Sequence, residues 1–190
     1  MKTSMKVFAA GLLAISVTFS EGIFAQNMKK DKTVMVGGAA MYPSKNIIEN
    51  AVNSKDHTTL VAAVKAAGLV ETLSSAGPFT VFAPVNAAFD ALPKGTVETL
   101  LKPENKATLT KILTYHVLAG NFTAADVLAA VKKGNGKATM KTVAGENLIF
   151  SAKGKQIFIT DQKGNKAKVT ISDVNQSNGV IHVIDKVLMP

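Results

Sequence analysis

The spacing of hydrophobic residues changes about two thirds of the way along the 190-residue chain. Up to residue 131, apolar positions recur three or four residues apart, as at Leu109, Ile112 and Leu113, which is typical of amphipathic helices. One short apolar run at residues 79–83 predicts a strand among them. From residue 139 onwards, strand-length runs alternate with glycine-containing turns. Helices followed by antiparallel strands predict an α+β fold.

Three local signals predict where elements begin or turn. Thr123, with Asp126 three residues later, predicts a reciprocal cap at the start of a helix. Asn86 is predicted to cap a second, short helix. Asn178 and Gly179 predict a type I′ hairpin turn, because that turn needs a positive φ at both central residues.

The first 25 residues are typical of a secretory signal peptide. Two lysines precede an apolar run at residues 7–19, and the small residue Ala25 precedes the polar Gln26 at the predicted cleavage point. The run is shorter than the ~20 apolar residues that span a bilayer, and no second such run follows. We therefore expect a mature chain without a transmembrane segment, released into a periplasm, the medium or a cell-surface layer.

The rest of the chain is predicted to be a linker and one domain. Residues 26–43 show no sustained periodicity and are predicted to form a mobile linker, in which residues 34–36 could add a short strand. Residues 44–190 then form a single domain. The chain has no cysteine, which excludes disulfides, thiolate catalysis and cysteine-ligated metals.

Three stretches of this domain resemble the boxes of a known family. They are TVFAPVNAAFDALP (80–93), LTYHVLAG (113–120) and DVNQSNGVIHVIDKVLMP (173–190), and they resemble, in order, the boxes of the fasciclin-like domain. The resemblance extends over residues 44–190. It implies a two-sheet, wedge-shaped antiparallel β core with helices packed along one side. It also implies a secreted or cell-surface adhesion module with no recognised catalytic site.

The Tyr-His segment allows two interpretations. The resemblance implies receptor binding by Tyr115 and His116, with Val117 and Leu118 in the region associated with integrin binding. The helical spacing instead places His116 on an apolar face, which favours a buried imidazole that ties the helix to the segment around Asn86. Val117 and Leu118 could equally belong to the core.

Charge is concentrated near the strands. The formal net charge is +9, every basic residue is lysine, and nine lysines stand against two acids between residues 132 and 168. One interpretation is a solvated rim that discourages edge-to-edge pairing. The other is electrostatic attachment to an acidic polymer or anionic cell surface. The candidate contact residues for that attachment are Lys153, Lys155, Lys163 and Lys166.

The predicted partner is a cell-surface or matrix protein or an acidic polysaccharide. Specific nucleic-acid recognition is not expected, because the chain has no arginine to read phosphate or guanine in bidentate fashion. The sequons at Asn121 and Asn175 fit N-glycosylation acceptors, and as local structure they fit turns or caps.

Catalytic and metal-binding patterns are absent from the sequence. Its three histidines have no carboxylate or second histidine at zinc-ligand spacing, and no nucleophile elbow or phosphate loop occurs. His182 is expected to have a cross-strand or edge role. We therefore predict a non-enzymatic protein without a cofactor. The alternative function is a periplasmic or secreted carrier that encloses a small apolar ligand between helices and sheet.

Overall fold

The computed structural model describes residues 33–190. Within this range the chain forms seven short α-helices and nine strands. The helices are α1 (Ile47–Ala51), α2 (Thr58–Ala67), α3 (Val70–Ser74), α4 (Asn86–Asp90), α5 (Thr96–Leu100), α6 (Lys106–Tyr115) and α7 (Ala124–Lys133). The strands are β1 (Val34–Val36), β2 (Ala39–Met41), β3 (Phe79–Pro84), β4 (Val117–Ala119), β5 (Lys137–Lys141), β6 (Asn147–Lys153), β7 (Gln156–Thr160), β8 (Lys166–Gln176) and β9 (Gly179–Ile184). The predicted α+β class is confirmed.

Seven strands are hydrogen-bonded in the order β4-β3-β9-β8-β7-β6-β5. The long strand β8 pairs with β7 through its first part, and two register shifts interrupt its pairing with β9. Because bulges bend a strand, the seven strands form two parts that share β8. One part contains β4, β3 and β9, and the other contains β7, β6 and β5. One expectation needs correction: β3 and β9 run parallel, whereas the other neighbouring pairs are antiparallel. The long connection between them, which includes helices, allows β9 to enter in the same direction as β3.

The core consists of two apolar clusters on different parts of the sheet. The first lies between β3, β9 and the helices α1, α2, α3 and α6. The second lies between α7 and the strands β5 to β8, and includes Val127, Val131, Phe150 and Ile159. All six residues of β9 are buried, as expected for a central strand covered on both faces.

The predicted linker is partly a structured element of the domain. β1 and β2 pair as an antiparallel hairpin, and Val36 and Met41 are each 3% exposed in the first core cluster. Each strand has only three residues, too few to show a period in the sequence. The short strand expected at residues 34–36 is therefore confirmed, and the linker prediction for residues 26–43 is corrected for residues 34–41. Residues 26–32 and the predicted signal peptide lie outside the described residues.

The two helix-cap predictions have different outcomes. Thr123 and Asp126 form the predicted capping box at the start of α7. The hydrogen bonds from Thr123 lower the pKa of the Asp126 carboxyl. Asn86 was expected to cap its own helix, but its side-chain oxygen accepts the backbone N–H of Thr59, at 3.0 Å, in the first turn of α2. Asn86 therefore caps the N-terminus of α2, a helix distant from it in the chain, which the sequence alone does not reveal.

The hairpin between β8 and β9 is confirmed, but its predicted turn type is wrong. Gln176 pairs with Gly179, so the two loop residues are Ser177 and Asn178, and Asn178 does not have a positive φ. Gly179 instead lies against β3, where an added Cβ would be 2.0 Å from the carbonyl oxygen of Phe79. Glycine is therefore required here for a close backbone approach.

Asn178 connects this hairpin to two helices. Its buried side chain accepts the backbone N–H of Ile47 at 3.0 Å and donates to the carbonyl oxygens of Leu73 and Ser75 at 2.8 and 2.9 Å. These bonds satisfy backbone groups at the start of α1 and the end of α3. A residue predicted from its turn propensity therefore holds the helical layer to the sheet.

Candidate functional site

The four candidate residues of the Tyr-His segment lie between α6 and β4. Tyr115 ends α6, His116 follows it, and Val117 and Leu118 belong to β4, which pairs with β3. Their exposures are 0%, 3%, 5% and 0%. The structure therefore corrects the expectation of a contact surface at these positions: the four side chains lie in the core, and a partner does not reach them in this arrangement.

The imidazole of His116 links α6 to the C-terminal segment. Its Nδ1 lies 2.8 Å from the carbonyl oxygen of Ile112, and its Nε2 accepts the backbone N–H of Leu188 at 2.9 Å. A neutral ring with its proton on Nδ1 satisfies both bonds. Burial lowers the pKa of His116 to about 4, which keeps the ring neutral at physiological pH. The predicted partner near Asn86 is wrong; the partner is Leu188.

Tyr115 makes a second connection beside it. Its hydroxyl donates to the carbonyl oxygen of Asn147 at 3.1 Å and accepts the backbone N–H of Gln162 at 3.2 Å. Burial raises the pKa of this hydroxyl, so it remains a donor. Tyr115 therefore joins the start of β6 to the loop between β7 and β8.

Asp161 completes this buried polar group and was not identified from the sequence. Its carboxylate is 3% exposed and accepts the backbone N–H groups of Asn165, at 2.8 Å, and Met189, at 2.9 Å. The turn at residues 163–165 was visible as a glycine-containing break, but nothing in it indicated an inward carboxylate. His116 binds Leu188 and Asp161 binds Met189, so these two side chains hold the C-terminal segment in place, while Tyr115 binds the loop that carries Asp161.

The other two histidines are also buried. The Nδ1 of His182 accepts the backbone N–H of Asp173 on β8 at 3.3 Å, and its Nε2 lies 2.8 Å from the carbonyl oxygen of Phe122. His57 lies 2.8 Å from the Ser54 hydroxyl through Nδ1. Burial lowers the pKa of both rings. No three metal-ligating side chains cluster anywhere in residues 33–190.

An apolar cavity of about 50 Å³ lies between the helices and the sheet. Val36, Leu60, Val64 and Ile181 are among its lining residues, and His57 borders it. Sites that enclose small ligands typically have volumes of ~300–1,000 Å³. The cavity is far below this range and does not favour the carrier alternative.

The nine lysines between residues 132 and 168 are all exposed. Among the candidates, Lys153 ends β6, Lys155 lies in the next turn, Lys163 lies in the loop before β8, and Lys166 begins β8. Within residues 33–190 the one side-chain ion pair joins Lys111 to Glu146 at 2.7 Å, so no carboxylate pairs with any of the nine. Their positive charges therefore add over this part of the surface.

Two further observations concern the sequons and the helices. Asn121 and Asn175, the asparagines of the two sequons, are exposed. Across the part of the chain that the structure describes, no helix has the length and hydropathy to span a membrane.

Comparison with known proteins identifies the family. The family model for the fasciclin domain matches residues 55–190, which is more than half of the chain. The chain belongs to the fasciclin domain family. The resemblance predicted from the three sequence boxes is thus confirmed, and residues 34–54, ahead of the matched range, pack with the rest of this fasciclin domain.

Several curated proteins are similar to this fasciclin domain. Protein sll1483 from Synechocystis sp. is 46% identical over 191 residues, covering 100% of this chain and 99% of its own length. The immunogenic protein MPB70 of Mycobacterium bovis is 34% identical over 96% of this chain and 92% of its own length. Human periostin is 29% identical over 77% of this chain, which covers 16% of that protein.

A solved structure supports the fold. The chain resembles a FAS1 domain pair from the insect cell adhesion molecule fasciclin I, with a TM-score of 0.69 and 18% identity. The match covers 78% of this chain and 52% of that chain. At this identity the likeness shows the shared fold alone.

Proposed function

We propose that this fasciclin domain is an exported, non-enzymatic adhesion module that attaches to an acidic component of a cell surface or matrix. Membership of the fasciclin domain family supports this class. The observation that carries the attachment is the set of nine exposed lysines without an ion-paired carboxylate. The Tyr-His segment contributes to this function by holding the fold, because its side chains are buried.

The charge distribution sets the type of attraction. A lysine ammonium is a compact point charge, which attracts carboxylate or sulfate groups without requiring bidentate geometry. Charges on a surface are screened over ~8 Å at physiological ionic strength. Attachment through these lysines should therefore be strong at low salt and weaken steeply as salt is added.

Replacing Lys153, Lys155, Lys163 and Lys166 with glutamine is expected to reduce retention on a column of acidic polysaccharide. The four side chains are exposed at strand ends and turns, so the melting temperature should change little. The measurement is the salt concentration at which the parent and the variant elute.

A matched control removes the same charge from the helical side of the domain. Lys65, Lys94, Lys102 and Lys106 are also exposed, and their replacement with glutamine lowers the net charge by the same amount. We expect this variant to elute close to the parent. If the two quadruple variants elute at the same salt concentration, net charge rather than this region governs attachment.

Export is the second element of the proposal. The apolar run and the small residue Ala25 support cleavage before Gln26. We expect the protein recovered from the periplasm or medium of an expressing bacterium to begin at Gln26, with or without cyclisation to pyroglutamate. Mass analysis of the intact protein measures this, and an exported chain that still carries residues 1–25 would contradict it.

A further inference from the structure

One face of the sheet formed by β5, β6, β7 and the first part of β8 is open to solvent. Alternate residues of these strands are buried against α7, including Leu148, Phe150, Ile157 and Ile159. The intervening residues point the other way, and Ile149 at the centre of this face is 40% exposed. We call this the outer face, and it consists of Lys137, Thr139, Lys141, Asn147, Ile149, Ser151, Lys153, Gln156, Phe158, Thr160, Lys166, Lys168 and Thr170.

Strand pairing arranges these side chains in rows across the strands. In one row Lys137 is next to Ser151, Ser151 is next to Phe158, and Phe158 is next to Lys168. Neighbouring strands are ~4.8 Å apart, so this row spans roughly 14 Å from one lysine to the other. A second row runs parallel to it through Thr139, Ile149, Thr160 and Lys166. The outer face is thus a strip with lysines at its sides and an apolar, hydroxyl-bearing centre.

The charge of this strip is of one sign. The four strand segments, residues 137–141, 147–153, 156–160 and 166–170, contain five lysines and no acidic residue. The carboxylate of Asp185 lies at its edge, where it accepts the backbone N–H of Lys168 at 2.7 Å. A positive strip of this kind is complementary to a linear polyanion.

Phe158 holds one of these charges in place. The Nζ of Lys166 lies 4.5 Å from the centre of the Phe158 ring, within the range of a cation–π contact. A lysine that is already ordered on the face loses less conformational entropy when it meets an anion. Phe158 therefore positions the Lys166 charge over β7, one strand inside the β8 side of the strip.

We propose that the outer face is a binding strip for a chain of acidic sugars, lying across the strands along the row from Lys137 to Lys168. This inference rests on the proposed function and adds to it the site and the class of ligand. An acidic polysaccharide combines negative groups at regular spacing with ring faces and hydroxyl groups. Those features match the lysines, the Phe158 and Ile149 surface, and the hydroxyl groups of Thr139, Ser151 and Thr160.

The geometry favours this ligand over two other polyanions. A single-stranded nucleic acid is usually bound by several aromatic rings on which successive bases stack, and the outer face offers one. A membrane surface is usually bound by an amphipathic element that inserts a broad apolar side, whereas here the apolar residues are enclosed by lysines and hydroxyl groups. The length of the row further predicts that a single sugar binds weakly and that an oligomer binds well.

The test is a titration of the full mature protein with oligogalacturonates of graded length. Affinity should rise with length until the oligomer spans the strip. Phe158→Leu, which keeps the net charge, should weaken binding of the longer oligomers by roughly two- to fivefold through loss of the cation–π contact. The matched control is Tyr42→Leu, which removes a second cation–π pair of residues 33–190, with Lys45 at 5.2 Å, away from this face. That variant should bind as the parent does.

A second pair of variants tests the row itself. Lys137 and Lys168 replaced together by glutamine should weaken binding more than Lys102 and Lys106 replaced together, although both variants lose two charges. Thermal unfolding checks that each variant is folded at the temperature of the titration. This comparison does not depend on the half-buried Phe158, so the proposal stays testable if the Phe158 variant is unstable.

Three results would overturn the inference. Equal losses from the two lysine pairs would mean that binding follows net charge, and the adhesion proposal would then survive without this site. If the protein bound inorganic polyphosphate as tightly as oligogalacturonate, and Phe158→Leu weakened neither, binding would again follow net charge. Binding to vesicles that contain phosphatidylglycerol, without binding to oligogalacturonate, would assign the face to membranes. A different result would count against the proposed function: unchanged retention on the polysaccharide column when Lys153, Lys155, Lys163 and Lys166 are replaced with glutamine.

Discussion

Replacing His116 with alanine is expected to lower the free energy of unfolding by about 2–4 kcal/mol. The substitution removes the acceptor for the backbone N–H of Leu188 and leaves that group buried without a partner. It also removes the bond to the carbonyl oxygen of Ile112 and opens a cavity where a ring is 3% exposed. Urea denaturation of the parent and the variant at pH 7.5 measures the difference.

The pH dependence of that difference identifies its cause. The pKa of His116 is about 4 in the folded protein, whereas an unfolded histidine titrates near ~6.5. The unfolded chain therefore binds the proton first, so this contribution to stability is complete above pH 6.5 and is lost as the pH falls towards 4. At low pH the parent loses about 3 kcal/mol of stability in this way, whereas the alanine variant, which has no imidazole at this position, does not. We expect the difference between parent and variant to shrink at pH 4.5.

A matched control separates this effect from general surface changes. Asn121→Ala alters an exposed loop residue and should leave the free energy of unfolding within about 0.5 kcal/mol of the parent at both pH values. The contrary outcome is that His116→Ala leaves the free energy of unfolding unchanged but abolishes attachment to the polysaccharide column. That outcome would make His116 a recognition residue and contradict its assignment to the core.

The elements that the sequence predicts well are those specified by neighbouring residues. The capping box of Thr123 and Asp126 lies within four residues of chain, and the helical face of α6 within a few turns. By contrast, Asn86 caps a helix 27 residues away and Asn178 bonds to a carbonyl 105 residues away. Both asparagines indicated a cap or a turn, but the identity of the group that each one binds depends on the tertiary fold.

The same distinction applies to the candidate site. The sequence predicts that lysines are abundant between residues 132 and 168, because counting needs no structure. It does not predict that Lys137 and Lys168 belong to one row, since that depends on the register of four strands. The burial of Tyr115 and Leu118 was one of two open interpretations, and the packing of β4 beside β3 decides it.

Replacing Gly179 with alanine is expected to destabilise the domain by about 3 kcal/mol or more. Gly179 begins β9 opposite Phe79 in the parallel pair, and the new Cβ would lie 2.0 Å from the carbonyl oxygen of Phe79. Backbone atoms at the centre of a sheet cannot move aside as a flexible side chain can. Relief of the clash must therefore separate β3 from β9 and weaken the bond from the Phe79 N–H to the carbonyl oxygen of Asn178, which is 3.1 Å long.

Gly154→Ala provides the matched control, because it isolates the cost of backbone conformation from the cost of the clash. Gly154 has a φ of +62°, and no atom lies within 4 Å of an added Cβ. A left-handed alanine costs about 1–2 kcal/mol, so this variant should fold and melt moderately below the parent. Urea denaturation of both variants gives the comparison, and recovery of folded protein is the readout if Gly179→Ala is too unstable to titrate. Equal losses in the two variants would show that β3 and β9 can separate at little cost, and that Gly179 serves the turn rather than the parallel contact.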